Sequence, residues 1–418
     1  MTAVRAAIET SPAPRRVAGW VYALAGGLMA VGAVTFGIAV TRPDPAPAWR
    51  ALLVSFLYWA SLGCGALMWS VIQRVARTAW SAPVNRLGHA ALGFIAFVTV
   101  VLGALYFGRK YYLTWLGGGV GDRGAWLNVP SLYARDLGSM LVLLILSAIY
   151  VGTYLASDRK KGHVGARHAL PLRLTDMEPP SAERPQRAAV ERRLSILGVI
   201  LCAWFAITFT LLALDLIMSL APTWFSALFG AYFFAGALYE GIAALIIMTL
   251  LLRRWLGVAD MVRTQQLQDL GNLMLAFAMI MTYFFFSQAL VIWYENLPPE
   301  TSFVLPRIHY QPWQMLCWIV VWSAYLGTFG LLVIREMKEN PRTLFAVAVF
   351  VLASMWLERY LLVIPSLQAK PGVSPILAIL MSLGFGGVFV ATVAPFLARC
   401  PAVSELDLRL IAEREAWR

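Results

Sequence analysis

Ten apolar runs, each of about 20 residues or more, divide this sequence, and a chain built that way has few folds open to it. A helix rises 1.5 Å per residue, so about 20 residues cross the ~30 Å hydrocarbon layer of a bilayer. The runs occupy residues 18–40, 49–73, 83–107, 136–157, 194–218, 225–252, 269–294, 311–335, 342–364 and 373–397. They are continuous rather than alternating, which indicates helices and not a barrel. Composition agrees: 60% of residues are apolar and 13% charged, against about 45–50% and about 25% in soluble domains. The expected fold is an all-α integral membrane protein of about ten transmembrane helices.

The net charge of +12 raises the question of nucleic acid. No basic stripe is interleaved with stacking aromatics, and the basic residues border apolar runs, so no nucleic-acid partner is expected and lipid is. Arg15 and Arg16 precede an apolar run of about 22 residues, too long for a signal-peptide core and better read as the first span. Of the 34 Lys and Arg residues, one set of connections holds only Arg42, Arg50, Arg109, Lys110, Arg123, Arg135, Arg307 and Lys370; Arg359 lies within a span, and the other set holds the rest. The positive-inside rule then puts both chain ends in the cytoplasm, which an odd number of helices would not allow. Tyr111, Tyr112, Trp115, Trp224, Trp293 and Tyr294 cluster at the opposite ends, as interfacial aromatics do.

Between about 158 and 193 lies a basic stretch with Pro171, Pro179, Pro180 and Pro185, which reads as a cytoplasmic crossover. A short repeat supports two halves: Leu87-Gly88-His89-Ala90-Ala91-Leu92-Gly93-Phe94 in the third run resembles Leu270-Gly271-Asn272-Leu273-Met274-Leu275-Ala276-Phe277 in the seventh. Four spans apart, the two copies run the same way, so the duplication is parallel. The expected architecture is two four-helix bundles, spans two to five and six to nine, plus two flanking helices. In residues, 1–157 holds the first flanking helix and three helices of bundle one. Residues 158–193 form the basic loop, 194–218 the last helix of bundle one, 225–364 the second bundle, and 365–418 the last helix and a cytoplasmic tail.

Chemistry must come from few groups. Cys64, Cys202, Cys317 and Cys400 are scattered, with no paired spacing, so a zinc site, covalent haem or a self-contained iron–sulfur cluster is not expected. His163 and His168 fall in the loop and His309 near an interface, leaving His89 alone within a span, too few for a bis-histidine haem. No metal site and no catalytic residue is assigned.

Charges inside spans cost about 2.5–3.5 kcal/mol each on insertion scales and are candidate functional groups. Glu240 is about 15 residues into the sixth run, near mid-membrane, with no adjacent cation in sequence. Asp215, Asp136 and Glu358–Arg359 lie toward the outer side; His89 and Asp269 lie toward the inner side. Together they form a candidate proton path meeting at Glu240. Competing structural readings stand beside it. Asp136 and Asp269 open their runs, where a carboxylate caps a helix. Glu358 and Arg359 are about 100° apart on a helix, so each could pair elsewhere. His89 could be a packed, hydrogen-bonded residue. Tyr58, Tyr283 and Gln288, with Asp215, are candidate quinone-binding groups, or simply inter-helix hydrogen bonds.

One stretch reads Asp215, Met218-Ser219-Leu220, Pro222, Trp224-Phe225-Ser226, Phe229-Gly230, Tyr232-Phe233 and Gly236; another reads Asp269-Leu270-Gly271, Phe277, Tyr283, Phe286-Ser287-Gln288, Ile292-Trp293-Tyr294, Asn296, Pro298 and Glu300-Thr301. These signatures resemble the NrfD/polysulfide-reductase membrane-subunit family. Within it they are most similar to the membrane subunits of alternative complex III, and in length to the smaller, ActF-type subunit. The resemblance covers most of the chain. It implies a ten-helix subunit of a quinol:electron-acceptor oxidoreductase in a bacterial plasma membrane, binding no cofactor itself, with menaquinol or ubiquinol as the substrate of the complex. It also implies partners: a sister quinone-binding subunit, an iron–sulfur subunit, multihaem and monohaem cytochrome c subunits, and small membrane subunits. The haem c groups and iron–sulfur clusters would belong to those partners. Three departures stand out: Gln265-Gln266-Leu267-Gln268 replaces a histidine-containing stretch, Asn272 a frequent Lys, and Met281 a frequent Trp.

Overall fold

A computed structural model describes residues 15–118, 121–159, 184–367, 375–404, 406–408 and 410. Among them there is no strand, and ten helices are long and apolar enough to cross a membrane. The first two crossings are α1 (Gly19–Val40) and α2 (Ala46–Val75). The third is split at Ala90–Ala91 into α3 (Ala82–His89) and α4 (Leu92–Gly108). Then come α5 (Val129–Arg159), α6 (Arg184–Leu216), α7 (Phe229–Leu252) and α8 (Thr264–Glu295). A shorter helix, α9 (Pro298–His309), precedes the eighth crossing, which is built from α10 (Trp313–Val320), a π-helical stretch (Val321–Gly327) and α11 (Thr328–Val333). A turn of helix, α12 (Arg335–Glu339), leads to α13 (Pro341–Leu367) and α14 (Pro375–Arg399).

The helices form two rings of four. In the first, α2, α3–α4, α5 and α6 follow each other and α6 returns to α2; in the second, α7, α8, α10–α11 and α13 do the same, with α13 returning to α7. The rings meet through α2 and α7, the two most deeply buried spans. Their backbones approach closely at glycines. A Cβ on Gly65 would lie 1.9 Å from the Ala237 carbonyl oxygen, and one on Gly241 would lie 2.2 Å from the Gly65 carbonyl carbon. Small residues at a crossing are how membrane helices gain packing where apolar burial gives no drive. Trp69 Nε1 donates to the Leu238 carbonyl at 2.7 Å across the same contact. The flanking helices α1 and α14 pair with each other and lean on α2.

The Arg15 amide donates to the Ala398 carbonyl at 3.0 Å, so both described ends lie on one face of the bundle, called here the terminal face; the opposite one is the distal face. The exterior is apolar: Trp20, Val34, Ile38, Phe107, Ile145 and Val199 are all exposed. A water-facing surface would not sustain such a belt, and lipid would.

Several helices start earlier than their apolar runs. Asn128 Oδ1 accepts the Ser131 amide at 2.9 Å, an N-cap that starts α5 at Val129 instead of 136. The Gln266 side chain accepts the Arg263 amide at 3.1 Å, capping α8 at Thr264 instead of 269. Asp136 and Asp269 therefore sit well inside helices, and the reading of each as an N-cap is corrected. Helix α6 begins at Arg184, inside the stretch read as loop. His163, His168, Pro171, Pro179, Pro180, Lys370 and the last eight residues lie outside the described residues.

Candidate functional site

The candidate groups separate into clusters, the deepest at the heart of the second ring. Glu240 projects from α7, and Glu358 and Arg359 from α13; all three are buried. Arg359 Nη1 donates to Glu358 Oε2 at 2.8 Å. Its Nη2 lies 2.8 Å from Glu240 Oε1, an ion pair by distance whose angles leave both Glu240 oxygens without an aligned donor. Glu240, without a cation adjacent in sequence, thus gains one across the helix contact, and Glu358 and Arg359, which could have paired elsewhere, pair with each other as well. A guanidinium on four rotatable bonds can fold back to its neighbour while also reaching across to α7. Helix α7 makes room for it: Phe233, Gly236 and Glu240 fall on one face by i, i+3 and i+7 spacing. The guanidinium carbon lies 4.3 Å from the Phe233 ring centroid, and a Cβ on Gly236 would lie 2.8 Å from Arg359 Nη2. Tyr58, on α2, is buried at 7% exposure.

Two tyrosines join this triad to a cavity. Tyr232, two turns before Glu240 on α7, donates its hydroxyl to Glu358 Oε1. The Tyr232 and Tyr325 hydroxyls are 2.7 Å apart. Tyr325 lies in the π-helical stretch, where Thr328 Oγ1 donates back to the Ser323 carbonyl at 2.8 Å; such insertions are frequent at functional sites. Tyr232, Tyr325 and Glu358 line one end of a mostly apolar cavity of about 850 Å³ near the distal face, which also reaches Gln288 and Arg307. Gln288 is held by Ser226 Oγ at 3.1 Å and by the Phe284 carbonyl at 3.2 Å. Tyr283 is 63% exposed on the outside of α8 and does not line this cavity, so the structure does not bring Tyr58, Tyr283 and Gln288 together.

The first ring holds a comparable cluster at its distal end. Arg135 Nε and Nη2 reach Asp215 Oδ2 at 3.0 and 2.8 Å, and Trp126 Nε1 donates to Asp215 Oδ1 at 2.7 Å. Asp136, next to Arg135 on α5, is fully buried, and among the described residues its carboxyl oxygens have no hydrogen-bond partner. Two neighbouring acids beside one guanidinium can share a single negative charge.

Toward the terminal face, His89 ends α3 with its ring 4.5 Å from Tyr154 and 5.8 Å from Tyr150, and neither ring nitrogen has a hydrogen-bond partner among the described residues. The C-terminal segment closes over this region. Asp407 accepts Arg74 Nη1 at 3.0 Å and the Tyr154 hydroxyl, with Asn85 Nδ2 at 3.5 Å. Burial pushes the Asp407 carboxyl above the usual range, and Arg74 opposes that shift. Asp269 is half-buried on α8 and makes no hydrogen bond or ion pair among the described residues. His89 and Asp269 thus stand apart from Glu240, and no hydrogen bond links them to it.

Arg135, Trp126, Tyr232, Tyr325, Arg307 and Asp407 were not among the residues singled out from sequence as site groups. The two tyrosines carried a signal, as hydroxyls within apolar runs. Arg307 and Asp407 lie outside the runs and carried none. Among the described residues, no group of three or more His, Cys, Asp or Glu could hold a metal ion. No family model matches the chain, and no curated protein matches it.

Proposed function

We propose that this chain is a membrane subunit of a quinol:electron-acceptor oxidoreductase in a bacterial plasma membrane, binding no redox cofactor itself and contributing to proton translocation coupled to quinol oxidation. Its termini would face the cytoplasm, and its partners would be the sister quinone-binding, iron–sulfur and cytochrome c subunits that the sequence signatures imply. The observation that carries the proton-handling part is the Glu240–Arg359–Glu358 triad with its tyrosine link to the distal cavity. Two carboxyls against one guanidinium are neutral when the set holds one proton. A net charge buried at this depth costs several kcal/mol, so the one-proton state is favoured. A proton on Glu358 leaves Arg359 to Glu240; a proton on Glu240 leaves it to Glu358. Arg359 is then a two-position element biased by where the proton sits. Tyr325 and Tyr232 supply the hydroxyls for exchange with the distal side.

The test is Glu240→Gln in the assembled complex, with protons moved per electron as the readout. The expected result is a lower ratio with assembly intact; an unchanged ratio refutes the reading. A structural scaffold, by contrast, would show changes in assembly or none at all. One observation favours a second reading, a quinone-binding subunit of another NrfD-type oxidoreductase: the cavity is apolar, of ligand size, and has hydroxyl, amide and carboxyl groups at its walls. A photoreactive quinone crosslinking to the cavity walls would support that reading, and labelling confined to a sister subunit would remove it.

A further inference from the structure

The cavity has a second polar feature that the proton-handling triad does not use. Arg307, in the last turn of α9, is buried at 7% exposure and lines the cavity wall. Its Nε donates to the Leu361 carbonyl at 2.9 Å, its Nη2 to the Leu362 carbonyl at 2.8 Å and Ser366 Oγ at 2.9 Å, and its Nη1 to the Phe303 carbonyl. Four of five N–H groups are thereby engaged, all by neutral acceptors. The fifth, on Nη1, has no acceptor, and no carboxylate pairs with this guanidinium among the described residues. Burial pulls Arg307 down to about 9, so it remains cationic at neutral pH. The one acid lining the same cavity, Glu358, is engaged by Arg359 and Tyr232.

The cavity also opens sideways. Helix α8 packs on the π-helical stretch, α11 and α12, whereas α10 packs on α9 and α13. The two helices stand apart on the distal side, and the cavity lies in the gap. Phe286, Leu290, Trp293 and Trp318 line it and are 46–77% exposed on the surface that would face lipid. An occupant can enter from the bilayer without crossing water, and it would meet apolar walls and then a cation that stacks on Phe303 and has no carboxylate partner among the described residues.

The geometry points to a binding site for one anionic phospholipid from the distal leaflet, its acyl chain between α8 and α10 and its phosphate on Arg307. A phosphate accepts charge-assisted hydrogen bonds from guanidinium. Charge complementarity therefore selects a net-anionic headgroup over a zwitterionic one, whose own cation would meet Arg307.

The test uses the full chain in phosphatidylcholine vesicles doped with either brominated phosphatidylglycerol or brominated phosphatidylcholine. Trp224, Trp293 and Trp318 line the cavity and report by fluorescence quenching. The expected result is saturable quenching at roughly tenfold lower mole fraction of the anionic lipid, the factor one charge-assisted hydrogen bond supplies. Arg307→Gln should remove that preference and Arg307→Lys should retain much of it. Trp318→Phe, a change at an exposed position, should shrink the saturable component whether or not Arg307→Gln folds. Equal quenching by the two lipids overturns the proposal, as does a preference that survives in Arg307→Gln or saturable quenching untouched by Trp318→Phe. Displacement by millimolar inorganic phosphate would also overturn it, by making the site one for a free anion.

Discussion

Replacing Arg359 by Met tests the charge accounting at the centre of the second ring. Charge centres about 4 Å apart attract by about 4 kcal/mol at an effective dielectric near 20, and Arg359 makes two such contacts, with Glu240 and Glu358. Desolvation offsets much of that attraction in the intact set, but removing the cation leaves the carboxyls uncompensated, at a cost of about 3–5 kcal/mol. Unfolding of the full chain in mixed micelles, followed by tryptophan fluorescence, reads this directly. The one-proton state makes a sharper claim about the acids. Glu240→Gln alone and Glu358→Gln alone each replace a carboxyl that can already be neutral, so each should cost under about 1.5 kcal/mol, on the scale of a hydrogen bond. The double Gln variant strips Arg359 of every counter-ion and should cost about 3–5 kcal/mol, more than the sum of the singles. Adding both Gln changes to Arg359→Met should recover at least about 2 kcal/mol, since neutral groups replace a broken buried pair. Additive effects throughout, or single Gln variants as damaging as the double, would refute the reasoning.

Gly65→Ala should separate the rings, because its Cβ would meet backbone at 1.9 Å; a loss of about 3 kcal/mol, the upper range for overpacking, is expected in the same unfolding assay. Gly26→Ala, with nothing within 4 Å, is the control and should be neutral or gain up to about 1 kcal/mol. Tyr232→Phe removes the link between Tyr325 and Glu358 and should slow proton movement in the assembled complex, with a stability loss of about 1 kcal/mol; unchanged rates would break the proposed connection. The tail should respond to pH through Asp407. Its folded pKa is raised by burial, so the stability it contributes is fully present below the ordinary Asp range and is lost as pH rises through the raised value. The protection factors of the amides of residues 406–408, taken after dividing out intrinsic base-catalysed exchange, should therefore fall on that rise, and Asp407→Asn should abolish that fall.

The ten crossings were legible because each apolar run had to satisfy its backbone within itself, and continuous hydropathy records that demand. The starts of α5 and α8 were not, because they are set by Asn128 and Gln266, polar caps beyond the apolar runs, and this misplaced Asp136 and Asp269 at helix ends. Glu240 was legible as a lone acid deep in a span, but its cation was not. Arg359 comes from a span whose contact with α7 is a property of the ring and not of local spacing. The same holds for Asp215, whose partners Arg135 and Trp126 reach it from another helix and from a connecting segment. Arg307 was legible only as a basic residue of a connection, because α9 is too short and too polar to read as a span, although it forms a cavity wall.

Both rings set two carboxyls against one guanidinium: Asp136 and Asp215 with Arg135, and Glu240 and Glu358 with Arg359. The match is not a position-by-position copy. The repeat relates each span to the one four further on, which pairs the helix of Asp215 with that of Glu358 and Arg359, while Glu240 and Arg135–Asp136 fall on helices with no acid–arginine counterpart. Two different placements that arrive at one stoichiometry argue that the stoichiometry itself is what the fold keeps. A purely structural ion pair has no need of a second acid, since one carboxylate balances one guanidinium and an extra buried carboxyl only adds desolvation cost. A site that must exist with and without an exchangeable proton does need it, because the second acid keeps the arginine paired in either state. The first ring then supplies its own test. Asp136→Asn should leave the Arg135–Asp215 pair intact and cost under about 1.5 kcal/mol, whereas Asp215→Asn should be tolerated only because Asp136 can take up Arg135. If Asp215→Asn alone costs the ~3–5 kcal/mol of a cation stranded in the membrane, Asp136 is not a partner in waiting, and the parallel between the rings is one of composition only.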